Sequence, residues 1–374
     1  MTKPKLIWLN ISFFLITFLI AIIAVPYRAF THGFDGAELS FALICFIYCG
    51  MSITAGYHRL WSHKTYQAHW SLRLIFALGG AFALQNSILH WCSDHRIHHK
   101  HVDNNGVDPY SAKMGFWYSH IGWMLREYQA SRYTDYTNVR DIQKDPIVVW
   151  QHKYYFLLMI LLNVGIPLAF GIWHGNVINS LLLVGFLRLV LSHHTTFFIN
   201  SLAHVWGKQT YTDKNTARDN GFLAFLTFGE GYHNFHHIFE NDYRNGIRWW
   251  QFDPTKWLIK SCEYIKLTSK LRVSPEDRIA KTKLAMALKR SQLKLKSHPD
   301  AEKLLERLQY EYDTLVHKIN EYYAIRKHVF ALKKQKLVDD VENSEPMKQY
   351  QELKQRLAEQ QRSWQLFTAK LAYE

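Results

Sequence analysis

Residues 7–26, IWLNISFFLITFLIAIIAVP, carry no charge, and Asn10, Ser12 and Thr17 are the only polar side chains among them. That matches the roughly 20 apolar residues needed to cross the hydrocarbon core of a bilayer. A cleavable leader is the alternative, but the run is long and no A-x-A-like site follows it. A second uncharged run covers 39–56, a third 154–173, and a fourth 177–200, interrupted by Arg188. Only His174, Gly175 and Asn176 separate the last two, so they must form a tight hairpin. Lys3 and Lys5 precede the first run, whereas the short loops after the first and third carry Arg28 as their sole basic charge. The positive-inside rule then places both termini and residues 57–153 and 201–374 on the cytoplasmic side, in a bacterial inner membrane or an ER-like one.

A further apolar stretch, Leu72 to Trp91, contains Arg73, Gln85, Asn86 and His90. Crossing the membrane there would put the histidine-rich segments on either side of it in different compartments. An amphipathic helix lying at the interface is the better reading. Beyond residue 268 the composition shifts to Lys, Glu, Gln and Leu. Leu304, Leu305, Leu308, Tyr312, Leu315 and Ile319 recur at helical spacing, with breaks expected at 298–300 and 343–346. Residues 1–268 thus read as a membrane domain and 269–374 as a charged helical extension.

Formal charge is +14, which suits anionic partners such as lipid headgroups or an acidic carrier protein. No nucleic-acid module accompanies it, and the membrane explains the charge. Cys45, Cys49, Cys92 and Cys262 form neither a disulfide framework nor a zinc-ribbon pattern, and read as reduced thiols. No dinucleotide-binding fingerprint, C-x-x-C-H haem site or ferredoxin-like cysteine set occurs. Bound nicotinamide, flavin or haem is not expected.

The 21 histidines are the chemical signal. His32, His69, His90, His152, His174, His317 and His328 stand alone, and single histidines of this kind, with the His193–His194 pair, are ordinarily satisfied structural residues. Four groups are different: His58 with His63; His95, His98 and His99; Asn200 with His204; and His233, His236 and His237. Residues i, i+3 and i+4 of a helix share a face, so each H-x-x-H-H projects three imidazoles to one side. Asn200 and His204 are an i, i+4 pair. His58 and His63, five apart, suit a helix end running into irregular backbone. Nine imidazoles brought together would repel if protonated and waste polar surface if neutral, unless something binds them. Imidazole-rich sites take iron, zinc or copper. Nine ligands exceed what one ion uses, so two metals are expected.

At HRLWSH, DHRIHH, NSLAH and GEGYHNFHH the chain resembles the membrane histidine-box fatty-acyl desaturases, of the stearoyl-coenzyme A and acyl-lipid delta-9 type. The resemblance covers about residues 35–260. It implies an all-α membrane protein whose four transmembrane helices form two hairpins under a cytoplasmic helical cap that carries the metal site; the long helical C-terminal extension lies outside it. It further implies two non-haem irons held by His58, His63, His95, His98, His99, His204, His233, His236 and His237, with Asn200 acting through a water. O2 would be the co-substrate, and no catalytic side chain beyond the metal centre is implied. Asn86, Trp91 and Asp94 fall at positions that line the family's substrate channel. The substrate would be a long-chain acyl-CoA or the acyl chain of a membrane phospholipid. Electrons would come from an external ferredoxin or cytochrome b5-like carrier.

Two departures bear on the substrate. Ser119-His120-Ile121-Gly122-Trp123 is followed by Arg126-Glu127, with an acid where the animal enzymes place a second base that grips coenzyme A. Phe197 stands where they have tryptophan three residues before the asparagine. Asp94 and Glu230 are candidate carboxylate partners of the ligating histidines, with surface pairing to Arg59 or Arg96 as the plain alternative. The floor of an acyl tunnel is expected near residues 42–51, with Gly50 setting chain length. A hydroxylase sharing the metal site, or a non-catalytic lipid- or metal-binding scaffold, are the competing functions.

Overall fold

The computed structural model describes residues 4–296, 298–335 and 341–370. Lys3, used in the charge argument, and the last four residues of the extension lie outside them. Among the described residues, four helices are long and apolar enough to cross a membrane: Trp8–Thr31, Gly36–Ser62, Tyr155–His174 and Val177–Val205. They are called the first to fourth spans. In the first and third, the ladder widens into a π turn immediately before a proline, at Ile20–Ala24 before Pro26 and at Leu161–Gly165 before Pro167. Proline has no N–H to donate and collides with the carbonyl four residues back, and the wider turn relieves both problems.

The second and fourth spans run further than their apolar runs, to 27 and 29 residues. At 1.5 Å per residue that is about 40 Å, beyond the ~30 Å hydrocarbon core. The surplus turns carry His58 and His204 clear of the apolar runs. These two spans are also the more buried pair, and the first and third are the more exposed. Leu9, Ile16, Ile23, Leu157 and Leu161 on the first and third are exposed, as lipid-facing residues should be. Arg188 sits 1% exposed on the fourth span. Its guanidinium donates to Phe82 O (2.7 Å), Val184 O (2.9 Å) and Asn163 Oδ1 (2.8 Å) and lies over the Phe82 ring. A charge in apolar surroundings needs such partners, and these bind the third and fourth spans to the helix ending at Ala83.

The stretch expected to be one interfacial helix is two, Trp70–Ala83 and Ile88–His101, bent by 82° at the break. Leu84 and Asn86 take left-handed φ values of 55° and 77° there. Trp70–Ala83 is packed into protein rather than laid on lipid: Leu72, Phe76, Ala77 and Phe82 are buried. Two glycines permit the approach. A Cβ on Gly79 would lie 2.0 Å from Ser52 Oγ, and one on Gly80 2.1 Å from the Tyr57 ring. The bend lets Ile88–His101 leave the apolar region and carry His95, His98 and His99 alongside the end of the second span.

By contacts the chain divides into residues 1–209 with 214–273, and 210–213 with 274–374. The second unit contains three helices, Glu276–Leu295, Ala301–Gln335 and Glu345–Lys370. Leu284, Leu295, Leu308, Leu315, Ile319, Leu357 and Trp364 form its core, so the periodic apolar stripe read from the sequence is buried between these helices.

Candidate metal centre

Four segments converge at the C-terminal ends of the second and fourth spans. Residues Ser52–Ser62 form a π-helix, with His63 N donating to His58 O at 3.1 Å. Its wider turn brings residues five apart onto one face, and the helix ends at Ser62, so His63 caps it where the chain turns irregular through Lys64 at φ 54°, as the spacing led one to expect. Ile88–His101 supplies three histidines. The fourth span breaks at Ser201 before the short turn Leu202–Val205 that bears His204. The single turn His233–His236 and the adjacent His237 complete the set.

The nine imidazoles separate into two groups, His58, His63, His95, His99 and His236 in one and His98, His204, His233 and His237 in the other. Each H-x-x-H-H is therefore split. Its i and i+4 members serve one group, while the i+3 member, about 100° away around the helix, crosses to the other. His98 is lent in one direction and His236 in the other.

Four of these rings are oriented from behind. His58 Nδ1 meets Glu230 Oε2 at 2.9 Å, His98 Nδ1 meets Asp108 Oδ1 at 2.9 Å, and His99 Nδ1 meets Glu240 Oε2 at 3.1 Å. His204 Nδ1 donates to Thr216 Oγ1 (2.8 Å), whose hydroxyl donates to Asp103 Oδ1 (2.7 Å). A carboxylate only accepts, so as metal ligands these rings would hold their proton on Nδ1 and turn an unprotonated Nε2 inward. Those nitrogens face one another: His58 and His236 at 2.9 Å, His99 and His236 at 3.0 Å, His98 and His237 at 3.4 Å. His204 Nε2 is buried without a partner. Opposed lone pairs at such distances repel, unless a cation lies between them. Neighbouring ligands about 2.1 Å from one ion are roughly 3 Å apart, so the donors fit two metal ions.

Electrostatics agree. Burial, and after it the neighbouring imidazoles, hold His63, His95, His233, His236 and His237 well below the ordinary histidine range. Burial pushes His99 down to about 4 despite Glu240. Neutral imidazole is the ligating form. Burial raises the Glu230 carboxyl, but His58 and Arg59 more than offset it and leave it below its usual value.

Beside the centre lies a cavity of about 240 Å³. Phe13, Phe14, Leu84, Tyr155 and Phe197 form apolar wall, and Trp91, stacked on His95 at 4.8 Å, lies between the cavity and the metal-binding group. His90, Asp94 and Arg132 supply a polar patch, with Asp94 Oδ2 3.4 Å from His90 Nε2 and 3.5 Å from Arg132 Nη2.

The fatty acid desaturase family model matches residues 37–268, which is most of the chain and includes all nine histidines. The chain belongs to the fatty acid desaturase family. It is 42% identical over 256 residues to a probable acyl-CoA desaturase of Schizosaccharomyces pombe, covering 68% of this chain and 53% of that protein. With stearoyl-CoA desaturase 5 of Bos taurus the identity is 35% over 264 residues, 69% of this chain and 77% of the other. With an sn-2 palmitoyl-lipid 9-desaturase of Nostoc it is 34% over 278 residues, 73% and 93%. The chain spans about half the length of the two yeast relatives it matches.

In this desaturase-family chain the structure brings together all nine predicted histidines and lines the adjoining cavity with Asn86, Trp91, Asp94 and Asn200. Glu230 faces His58 with one oxygen and pairs with Arg59 through the other, and the pair with Arg59 is buried, not at the surface. Asp94 faces the cavity instead of a ligating histidine, and Arg96 pairs with Asp141. None of residues 42–51 lines the cavity, and Gly50 abuts the Phe228 ring. Asp103, Asp108, Thr216 and Glu240 were missed. Glu240 follows His237 by three residues, and the two aspartates sit in the loop after the second cluster, so proximity to the motifs was the available signal.

Proposed function

We propose that this protein is an O2-dependent fatty-acyl desaturase that inserts a cis double bond, at the delta-9 position, into a long-chain acyl substrate. The observation supporting this is the five-plus-four division of nine inward-facing imidazoles beside a largely apolar cavity. Two bound irons, held by those histidines and with Asn200 acting through a water, would supply the activation of O2 and the removal of hydrogen from an unactivated methylene, which no side-chain acid or base achieves.

The chain's own residues bind, orient and exclude. Glu230, Asp108, Glu240 and Thr216 fix the histidine rings from behind, as outer partners of metal ligands commonly do. Phe13, Phe14, Trp91 and Phe197 keep water from the alkyl chain and hold one of its bonds in place. Asn86 and the Asp94–His90–Arg132 patch are the groups able to meet the polar end of the substrate. The relatives' names divide between acyl-CoA and acyl-lipid substrates, and either carrier is compatible with the patch. An external acidic electron carrier, ferredoxin or cytochrome b5-like, would deliver the electrons to the basic face, with the centre and both termini in the cytoplasm.

Expression in a host lacking its own desaturase, followed by gas chromatography of fatty acids and of what they are attached to, tests the reading. A cis-monoene is expected. A hydroxy-acid in its place would overturn desaturation in favour of the hydroxylase reading, and an unchanged profile from metal-loaded protein would favour a scaffold.

A further inference from the structure

The two hairpin turns meet at the ends of the spans opposite the histidine centre, and a third group of ligating side chains sits where they do. Asp35 caps the first turn of the second span, and Glu38 lies within that turn. His174 is the last residue of the third span's helix. We propose that Asp35, Glu38 and His174 bind one divalent cation of the zinc class, joining the two transmembrane hairpins to each other. This site is independent of the nine-histidine centre and of its proposed activity.

Asp35 and Glu38 each have one carboxylate oxygen committed and one to spare. Asp35 Oδ1 accepts from Ala37 N and Glu38 N, at 2.8 and 2.9 Å, leaving Oδ2 beside His174 Nε2 at 2.6 Å. Glu38 Oε2 accepts from Asp35 N (3.0 Å) and Asn179 Nδ2 (2.9 Å). Its other oxygen, Oε1, is buried with no hydrogen-bond partner, and the residue is only 2% exposed. An ion pair between Asp35 and His174 accounts for those two side chains. It leaves the Glu38 oxygen unexplained, and an unsatisfied buried carboxylate oxygen costs more than a neutral one. Arg28 Nε donates to Asn179 Oδ1, the same side chain whose Nδ2 donates to Glu38 Oε2.

One ligand atom from each of the three residues lies within 4.8 Å of the others. Tetrahedral ligands about 2.0 Å from zinc are roughly 3.3 Å apart, a small adjustment from this arrangement. Mixed carboxylate and imidazole donors favour zinc over calcium or magnesium. Asp35 and His174 remain partly exposed, with side chains at 54% and 23%, which leaves a side open for water as the fourth ligand.

The test uses full-length protein in detergent, its histidine centre loaded with iron and loosely bound metal removed, then titrated with zinc. Elemental analysis should find one zinc per chain beyond the iron, with a zinc-dependent rise in Tm. His174→Ala and Glu38→Gln should each weaken zinc binding at least tenfold and remove the Tm rise, with iron content unchanged. A variant that loses its iron has misfolded and is replaced by Asp35→Asn, which keeps the helix cap. Zinc bound equally by wild type and variants, or no zinc beyond the histidine centre in wild type, would overturn the proposal.

Discussion

Asp108 Oδ1 lies 2.9 Å from His98 Nδ1, and neither side chain is more than 2% exposed. That contact fixes the tautomer of the one histidine its helix lends to the four-histidine group. Asp108→Asn should therefore weaken metal binding there by about 10–100-fold and leave the five-histidine group little changed. Competition with a chelator of known affinity reads the two sites separately. Equal weakening of both, or of neither, would remove Asp108 from this role.

Metal-free protein should lose stability as the pH falls below the ordinary histidine value of 6.5. Burial and mutual repulsion hold five of the ligands well below that value, and His99 at about 4. Between 6.5 and the folded values the unfolded chain binds protons that the folded one does not. Stability thus rises with pH and is lost on acidification, by at most about 1.4 kcal/mol per pH unit for each such histidine. Thermal unfolding of stripped protein across this range should show a steep decline, and a flat profile would contradict the burial described.

Chain length should respond to the cavity wall, not to Gly50. Phe14→Ala enlarges the space and should shift products toward longer chains. Gly50→Leu drives a side chain into Phe228, where even a Cβ would come within 2.1 Å of the ring; it should lower protein yield without selectively shortening products. Product profiles from cells expressing each variant distinguish these outcomes.

Gly80→Val should cost about 1–3 kcal/mol through overpacking, because its Cβ would meet the Tyr57 ring at 2.1 Å. Gly185→Ala, which meets nothing within 4 Å, should be tolerated. Thermal unfolding in detergent checks both, and similar losses for the two would show that the close approach of these helices is not what Gly80 serves.

The spans were legible because apolar length is a one-dimensional property, and the ligands because histidine at i, i+3 and i+4 is so unusual on a helix. The limits of the spans were not, since the surplus turns of the second and fourth are held by packing and not by hydropathy. Five-residue spacing at His58–His63 pointed to a helix end, and the helix does end at Ser62, but the spacing did not show that the turns leading to it are π-helical. No pattern along the chain shows that His98 and His236 change places between groups, which depends on how two short helices cross. Nor does it show that Gly50 faces Phe228, a contact between residues far apart in sequence.

Metal analysis of paired histidine variants tests the five-plus-four division most directly. Wild-type protein should hold two irons per chain. His95→Ala with His99→Ala, and separately His233→Ala with His237→Ala, should each leave one, held by the other group. One iron in wild type, or the loss of both from either pair in protein that remains folded, would contradict two separate sites.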